Sequence, residues 1–306
     1  MFEYPDTLSK FCTADAAVSV LTSQTLRWSS PHLFGDPFEL DHRTGLGFDP
    51  HMLLNEVVRT TIAMIFSPSP PHGNSPLITG IRRWRDDGRF ETPAEAEAST
   101  VLMELLAKMV DQRQVDIDVL MADWRRFTRH LRICSFSARP DNLPCWQRYA
   151  DNHRGAVIRF HVQELGVNSD AEGALRPMEY RQVRPEVTTV KEQLNAAIYN
   201  ERPNLQAGFL DKLLCKSPIH SHEQEWRCFY HALTEASSKS NNDMDWFDDR
   251  PFANEAVSSI YLGAYMSVED KKKLVDLQRA LYPHARLFQA QPVHGKYDIE
   301  FVKLAR

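Results

Sequence analysis

Apolar residues recur at helical spacing in two early segments of the chain. Residues 14–22 and 50–66 carry apolar side chains three and four positions apart, which predicts two amphipathic helices. A further helical stretch is predicted to open with Thr92 as N-cap and Pro93 at the first helical position, and to run in one or two pieces to Arg129. We therefore expect a helical insertion at about residues 50–130.

Short alternating or apolar runs predict strands in much of the remaining chain. They lie at residues 25–31, 131–137, 156–161, 174–181, 224–233, 257–262, 286–289 and 298–304. Helices are predicted between them at 187–199, 205–215 and 268–281. This mixed order indicates an α+β fold, with a mixed and largely antiparallel sheet flanked by helices, in a single domain over residues 1–306. The polar, acidic run at 237–249 predicts a mobile loop.

Composition and charge exclude several classes of protein. The 306 residues carry a formal net charge of −5, which argues against non-specific coating of nucleic acid. No apolar run reaches the eighteen or so residues of a membrane span, and the first residues do not resemble a secretion signal. The five cysteines form no Cys-x-x-Cys pair, which favours reduced thiols and a cytoplasmic location.

The densest candidate chemistry lies at Glu223, Glu225 and Arg227. Alternate residues of a strand share a face, so these three side chains are predicted to project together. Two adjacent carboxylates raise each other's proton affinity, and a neighbouring arginine opposes that effect. Such a set can hold a ribose hydroxyl or stabilise a cationic transition state. A solvated ion pair on a strand face is the alternative interpretation.

Two other segments could contribute to the same pocket. Ser135 and Ser137 are predicted on one strand face, where they could order a carboxylate or simply form a polar surface. Trp146, Tyr149 and His153 fall at helical spacing before Gly155. Tyr149 and His153 could line a pocket. Alternatively, the aromatic residues are core anchors and His153 is a cation at the helix C-terminus.

Possible metal ligands do not match a standard motif, so no metal is expected. His220 and His222 are two residues apart, and acidic residues cluster earlier in the chain. That earlier cluster comprises Asp36, Glu39, Asp41 and His42. The chain has no phosphate-binding loop, dinucleotide fingerprint, His-Glu-x-x-His motif or Gly-x-Ser-x-Gly elbow. Kinases, zinc proteases and serine hydrolases of those types are therefore excluded.

The order of several blocks resembles a bacterial family of unknown function, number 2971. The first block is Leu-Arg-Trp-Ser-Ser-Pro at 26–31 with Phe-Gly-Asp-Pro-Phe-Glu at 34–39. It is followed by blocks at 134–137, 146–155, 216, 223–227 and 260–263. Gly35 and Cys12 stand where that family has Asn and often Arg. The resemblance implies a fold, but the family has no established activity.

A second resemblance implies a mechanism. An arginine, then a Ser-x-Ser strand, then Glu-x-Glu is similar to the pattern of ADP-ribosyltransferases, although Phe136 replaces its central Thr. The resemblance implies NAD as the substrate, Glu225 as the catalytic residue and Glu223 as the residue that activates the acceptor. Ser135 and Ser137 would order the pocket. The residues expected to contact NAD are Arg27, Arg227, Tyr149 and His153.

Three functional hypotheses follow. The first is an intracellular, NAD-using ADP-ribosyltransferase-like enzyme of a defence or toxin system, which modifies a protein or a nucleic acid. The second is a non-catalytic sensor or interaction domain, in which Glu225 and Arg227 form a structural ion pair. The third is a metal-dependent nuclease using Asp36, Glu39 and the His pair. The first requires Ser135, Glu223 and Glu225 to line one cleft.

Overall fold

The chain divides into two compact units. The computed structural model describes residues 4–41, 43–165, 175–201, 208–232 and 246–305. The first unit contains Met1–Glu39, Thr128–Arg184 and Leu214–Arg306, and the second contains Leu40–Phe127 and Pro185–Leu213. The helical insertion predicted at 50–130 falls mainly in the second unit, which also takes in residues 185–213.

The helices follow the strong N-caps of the sequence. They are α1 (Ala14–Ser23), α2 (Pro50–Ile65), α3 (Pro76–Asp86), α4 (Pro93–Ala98), α5 (Thr100–His130), α6 (Leu143–Tyr149), α7 (Val190–Tyr199), α8 (Phe209–Leu213) and α9 (Val268–Leu281). Thr13 caps α1 by accepting from the backbone N–H of Ala16, and Ser267 caps α9 in the same way through Asp270 N–H. Helix α3 was not predicted, although Ser75 and Pro76 give it the same kind of start.

All the strands in the described residues belong to the first unit. They are β1 (Thr7–Cys12), β2 (Thr25–Ser29), β3 (Leu131–Ser137), β4 (Ala156–His161), β5 (Leu175–Pro177), β6 (Glu179–Tyr180), β7 (Cys215–Lys216), β8 (Glu225–His231), β9 (Phe247–Pro251), β10 (Val257–Leu262), β11 (Arg286–Pro292) and β12 (Ile299–Lys303). The large sheet has the order β12-β11-β10-β4-β1-β3-β2-β9, and β8 pairs with β3 and β5. Its described pairs are antiparallel apart from β10 with β11. The predicted α+β class with a largely antiparallel sheet is confirmed.

Strand alternation separates two hydrophobic cores within the first unit. One face of the sheet buries Leu8, Phe136 and Ile260 in a cluster that also takes in residues of α1 and α9. The opposite face buries Phe11 and Tyr261 in a cluster that contains Trp146 of α6. Helix α6 therefore packs against the face of the sheet that carries Ser135 and Ser137. This packing positions the site described below.

The second unit is helical throughout its described secondary structure. Trp124 is fully buried, packs against Phe209 in an edge-on ring contact, and donates from its indole N–H to the backbone oxygen of Asp41 at 2.9 Å. Ser75 binds the backbone oxygen of Ile198, which ties the start of α3 to α7. An aromatic core with satisfied polar groups is typical of a stable helical unit.

Several local predictions differ from the structure. The segment 174–181 forms two short strands, β5 and β6, and residue 174 lies outside the described residues. Residues 205–207 of the predicted helix 205–215 also lie outside them, and α8 covers only Phe209–Leu213. Of the predicted mobile loop at 237–249, residues 237–245 lie outside the described residues, whereas 247–249 belong to β9. Strand β1 was not predicted, because its apolar residues alternate weakly with Ser9 and Lys10.

Within the described part of the chain, none of the helices combines the length and apolar character needed to span a membrane.

Candidate functional site

A cavity of about 320 Å³ opens on the Ser135 face of the sheet in the first unit. Its walls come from β1, β3, β8, helix α6 and the segment 33–39. Six of the predicted site residues line it, and they come from four separate parts of the chain. These residues are Ser135, Ser137, Tyr149, Glu223, Glu225 and Arg227. The cleft required by the first hypothesis is therefore present.

The two glutamates reach the cavity by a different route from the one predicted. Glu223 ends a 3-10 helix, Pro218–Glu223, and only Glu225 lies on β8. Between them Gln224 adopts a left-handed conformation with φ of 44°, and its backbone oxygen accepts from Ala138 N–H. This turn directs both carboxylates inward, so the prediction of one strand face for all three residues is wrong for Glu223.

Lys216 binds three carboxylates at the centre of the cavity. Its ammonium lies 2.7 Å from Glu223 Oε2, 3.2 Å from Glu225 Oε2 and 3.4 Å from Glu39 Oε1. All four side chains are at most 8% exposed. Ion pairs this far from water are stabilising only when each charge has partners, which this arrangement provides.

Arg227 completes the buried ion cluster, which we define as Glu39, Lys216, Glu223, Glu225 and Arg227. Its Nε donates to Glu225 Oε1 at 2.7 Å, and its Nη2 donates to both oxygens of Glu39 at 3.0 and 3.2 Å. The guanidinium also lies over the Phe34 ring, 5.0 Å from its centroid. The cluster therefore links β8, β7 and the segment 33–39.

A turn in the segment 33–39 carries Glu39 into the cluster. Asp36 accepts from the backbone N–H of Phe38 at 2.9 Å through its side chain and from Glu39 N–H at 3.2 Å through its backbone oxygen. This is the turn that the Gly-Asp-Pro sequence predicts. Glu39 was considered in sequence only as a metal ligand, and its partnership with Arg227 spans 188 residues.

Glu223 connects the cluster to the mouth of the cavity. The Tyr149 hydroxyl donates to Glu223 Oε1 at 3.0 Å, and Arg148 Nη1 lies 3.5 Å from the same oxygen. His220 Nδ1 is 3.3 Å from Glu223 Oε1, and its Nε2 is 3.5 Å from Asp36 Oδ2. Since the Arg148 side chain is 49% exposed, this outer layer faces solvent while the cluster does not.

Electrostatics keep the cluster ionised. Burial alone would raise the pKa of Glu225, but Arg227, Lys216 and the Ser135 hydroxyl lower it to about 2. Burial would lower the pKa of Lys216 and of Arg227, but the facing carboxylates raise both well above their ordinary values. Glu225 is therefore a buried permanent anion at neutral pH.

This pKa predicts how stability depends on pH. The pKa of Glu225 is lower in the folded protein than its ordinary value of 4.5, so its contribution to stability is complete above about pH 5 and is lost as pH falls toward 2. The contribution is about 3 kcal/mol. Urea unfolding at pH 6 and pH 4 should show the first part of this loss in the wild type, about 0.8 kcal/mol, and a shallower pH dependence in Glu225→Gln. Equal pH dependence in the two proteins would contradict it.

The two serines of β3 have separate partners. Ser137 Oγ donates to the backbone oxygen of Glu223 at 2.7 Å, which fixes the end of the 3-10 helix. Ser135 is close enough to Glu225 for its hydroxyl to contribute to the lowered pKa of that carboxyl group, and its backbone oxygen accepts from Lys10 Nζ at 2.8 Å. Ser137 therefore fixes the backbone of Glu223, and Ser135 helps to keep Glu225 ionised.

Arg27 and His153 lie outside the cavity lining. The Arg27 side chain is 58% exposed, pairs with Asp249 at 3.1 Å and lies 3.8 Å from the Phe247 ring centroid. His153 stacks parallel to Trp146, with ring centroids 6.1 Å apart. Helix α6 ends at Tyr149, and residues 151–153 have φ between 46° and 66°. His153 is therefore in a left-handed turn and not on the predicted helix.

The described residues contain no group of three or more His, Cys, Asp or Glu arranged to hold a metal ion. Glu39 is occupied by Arg227 and Lys216. His42, a member of the acidic cluster considered for a metal, lies outside the described residues. His220 and His222 lie on the 3-10 helix Pro218–Glu223.

The fold and the site define an α+β protein whose cavity is built around a buried ion cluster. The family described as "Protein of unknown function (DUF2971)" matches residues 145–228. This segment contains α6, Lys216 and the start of β8, and the match confirms the resemblance to that family there. No curated protein and no solved structure matches the chain significantly.

Proposed function

We propose that the chain is an NAD-using, ADP-ribosyltransferase-like enzyme whose reaction takes place in this cavity. The observation that carries the proposal is that Ser135, Glu223 and Glu225 line one cavity, although they come from distant parts of the chain. Convergent polar groups with perturbed pKa values in a concave site are typical of catalytic centres.

Glu225 is proposed to stabilise the transition state of nicotinamide release. The bond between C1′ of the ribose and the nicotinamide ring nitrogen breaks, and its electron pair leaves with the neutral ring. The positive charge that develops on the ribose needs a fixed anion, which Glu225 supplies because its pKa of about 2 keeps it ionised. Arg227 and Ser135 hold that carboxylate in position.

The charge of the buried ion cluster supports binding of the cationic nicotinamide ring of NAD. Four carboxylates and four cationic side chains line the cavity, namely Asp36, Glu39, Glu223, Glu225, Lys10, Arg148, Lys216 and Arg227. The ammonium of Lys10 is bound to Ser135 O and lies over the Phe136 ring. The buried ion cluster holds three of these carboxylates and only two of the cations, and its surplus negative charge favours the positively charged nicotinamide ring of NAD over a neutral ring.

Glu223 and Arg148 are proposed to act at the mouth. An acceptor nucleophile forms its bond to C1′ there and loses its proton to Glu223, whose Oε1 faces Tyr149 and Arg148. Arg148 is half-exposed and would pair with the NAD phosphates. It would take over the role that the resemblance implies for Arg27. The acceptor is proposed to be a protein or a nucleic acid, and a cytoplasmic location is proposed because the five cysteines form no Cys-x-x-Cys pair.

The proposal predicts that NAD binds better than NADH, whose dihydronicotinamide ring is uncharged. At ten times its Kd, NAD should raise the free energy of unfolding by about 1.4 kcal/mol. Thermal unfolding with each nucleotide at equal concentration measures this difference. Equal stabilisation by NAD and NADH would contradict the charge argument, and no stabilisation by either would contradict NAD recognition.

A second candidate is a non-catalytic ligand-binding or interaction domain. It is favoured by the two Glu225 oxygens, which already contact Arg227 and Lys216. In that case the cluster would only hold β7, β8 and the segment 33–39 together. Glu225→Gln would then lower the melting temperature, and the wild type would release no nicotinamide from NAD.

A further inference from the structure

Two neighbouring polar groups beside the cavity have no hydrogen-bond partner. Among the described residues, three buried side-chain atoms lack one: Ser9 Oγ, Thr61 Oγ1 and Arg159 Nε. Ser9 is 0% exposed and lines the cavity. Arg159 is its direct partner across the antiparallel β1–β4 pair. Two of these three atoms therefore belong to directly paired residues, of which Ser9 lines the cavity and Arg159 is not among its lining residues.

The sheet register explains this juxtaposition. Ser9 lies opposite Arg159 on β4 and opposite Ser137 on β3, and Ser259 of β10 lies on the far side of Arg159. Directly paired residues of antiparallel strands share a face, with Cβ atoms about 4.5–5.5 Å apart. A polar row of four residues therefore crosses four strands on the cavity face.

The other hydroxyls of this row are satisfied. Ser137 Oγ donates to the backbone oxygen of Glu223, and Ser259 Oγ lies 3.4 Å from the Tyr261 hydroxyl. Ser9 stands between them with no partner. An unsatisfied buried hydroxyl destabilises a folded protein, and native structures hold few of them. Both unpaired atoms are buried in the free protein, so a ligand oxygen reaches them only when the cavity wall at Ser9 opens on binding.

We propose that Ser9 Oγ and Arg159 Nε form a subsite for a neutral oxygen acceptor of the ligand in the cavity. The hydroxyl and the guanidinium N–H are both donors, and one ligand oxygen between the two side chains can accept from both. This inference rests on the proposed use of NAD. In NAD the oxygen comes either from the nicotinamide carboxamide or from the ribose.

Local charge favours a neutral oxygen over a phosphate. Asp141 lies close enough to Arg159 for the arginine to contribute to its lowered pKa, after the larger effects of Arg139. The positive charge of Arg159 is therefore already partly compensated. A phosphate would face the Asp141 carboxylate as well, whereas a carbonyl or hydroxyl oxygen needs only the two donors.

The test is Ser9→Ala with Ser258→Ala as its matched control. Ser258 is a buried serine, 8% exposed, whose hydroxyl donates to the backbone oxygen of Arg159 at 3.1 Å. Ser9→Ala should leave the melting temperature of the free protein unchanged or raise it, because no hydrogen bond is lost. Ser258→Ala should lower the melting temperature.

Ligand binding is then measured with nicotinamide and ADP-ribose as separate probes. Ser9→Ala should raise the Kd of the probe that supplies the oxygen about fivefold, and Arg159→Lys should do the same. Ser258→Ala should bind both probes like the wild type. The probe that is affected identifies which half of NAD provides the oxygen.

The outcomes separate this inference from the proposed function. Wild-type protein that binds neither probe would overturn the proposed function. If the wild type binds the probes and Ser9→Ala binds both of them as tightly as the wild type does, only the subsite is overturned. A fall in melting temperature for Ser9→Ala as large as that for Ser258→Ala would also overturn it, since the hydroxyl would then already have a partner in the free protein.

Discussion

Glu225→Gln should reduce the rate of nicotinamide release from NAD by at least about 100-fold. Glutamine keeps the size of the side chain but removes the negative charge that faces the ribosyl cation. Arg227 and Lys216 would remain paired with Glu39 and Glu223, so the fixed negative charge beside the reacting centre would be lost and the remaining cluster would be neutral. The rate is measured by chromatography of free nicotinamide at saturating NAD.

A matched control separates catalysis from folding. Asp248 pairs with the buried guanidinium of Arg132 at 3.1 Å and accepts from the Tyr230 hydroxyl, and it does not line the cavity. Asp248→Asn therefore also removes a carboxylate from a buried arginine. It should lose stability and keep the wild-type rate per folded molecule. If Glu225→Gln retains the wild-type rate, Glu225 is not the catalytic residue.

Lys216→Met should lower the free energy of unfolding by about 3–5 kcal/mol. The substitution leaves three buried carboxylates close to one another, those of Glu39, Glu223 and Glu225. Of the two cations of the buried ion cluster, only Arg227 remains. Methionine fills similar volume, so the effect comes from uncompensated charge and not from a void. Urea unfolding at pH 7 measures the loss.

Lys273→Met is the control for the loss of a lysine ion pair. Lys273 pairs with Glu269 at 3.0 Å, but both side chains are largely exposed. Its removal should leave the urea midpoint unchanged within error, because water screens the pair. If Lys216→Met behaves like this surface variant, the buried ion cluster does not hold the site together.

Local patterns were sufficient to predict the elements that carry the site. The alternation of 131–137 places Ser135 and Ser137 on one face because Cys134 and Phe136 are apolar and pack on the other. The caps at Thr13, Asp49 and Thr92 fix the starts of α1, α2 and α4. These features depend on neighbours within a few residues, so a single sequence contains them.

The partners of the glutamates depend on contacts that no local pattern encodes. Glu39 reaches Arg227 across 188 residues, and only the folded sheet brings them together. Lys216 was noted in sequence as one position of a family block, and its three carboxylate partners were not foreseen. The inward turn at Gln224 needs a left-handed backbone that glutamine seldom adopts, so the sequence pattern favoured an uninterrupted strand.

Long-range pairing also explains why Arg27 was misplaced. The resemblance to ADP-ribosyltransferases assigned Arg27 to NAD, but β9 pairs with β2 and supplies Asp249 opposite Arg27. The acidic composition of 237–249 had favoured a loop there. Ser9 and Arg159, whose side chains carry the unsatisfied polar groups, are likewise brought together by the sheet register, which the sequence alone does not fix.

Nicotinamide release from NAD by the purified wild-type protein, beside Glu225→Gln and Asp248→Asn, tests the central claim most directly. The account predicts release by the wild type and by Asp248→Asn, and loss of release in Glu225→Gln at equal concentration of folded protein. Release by none of the three, with no stabilisation of the wild type by NAD, would contradict the enzyme and favour the non-catalytic domain.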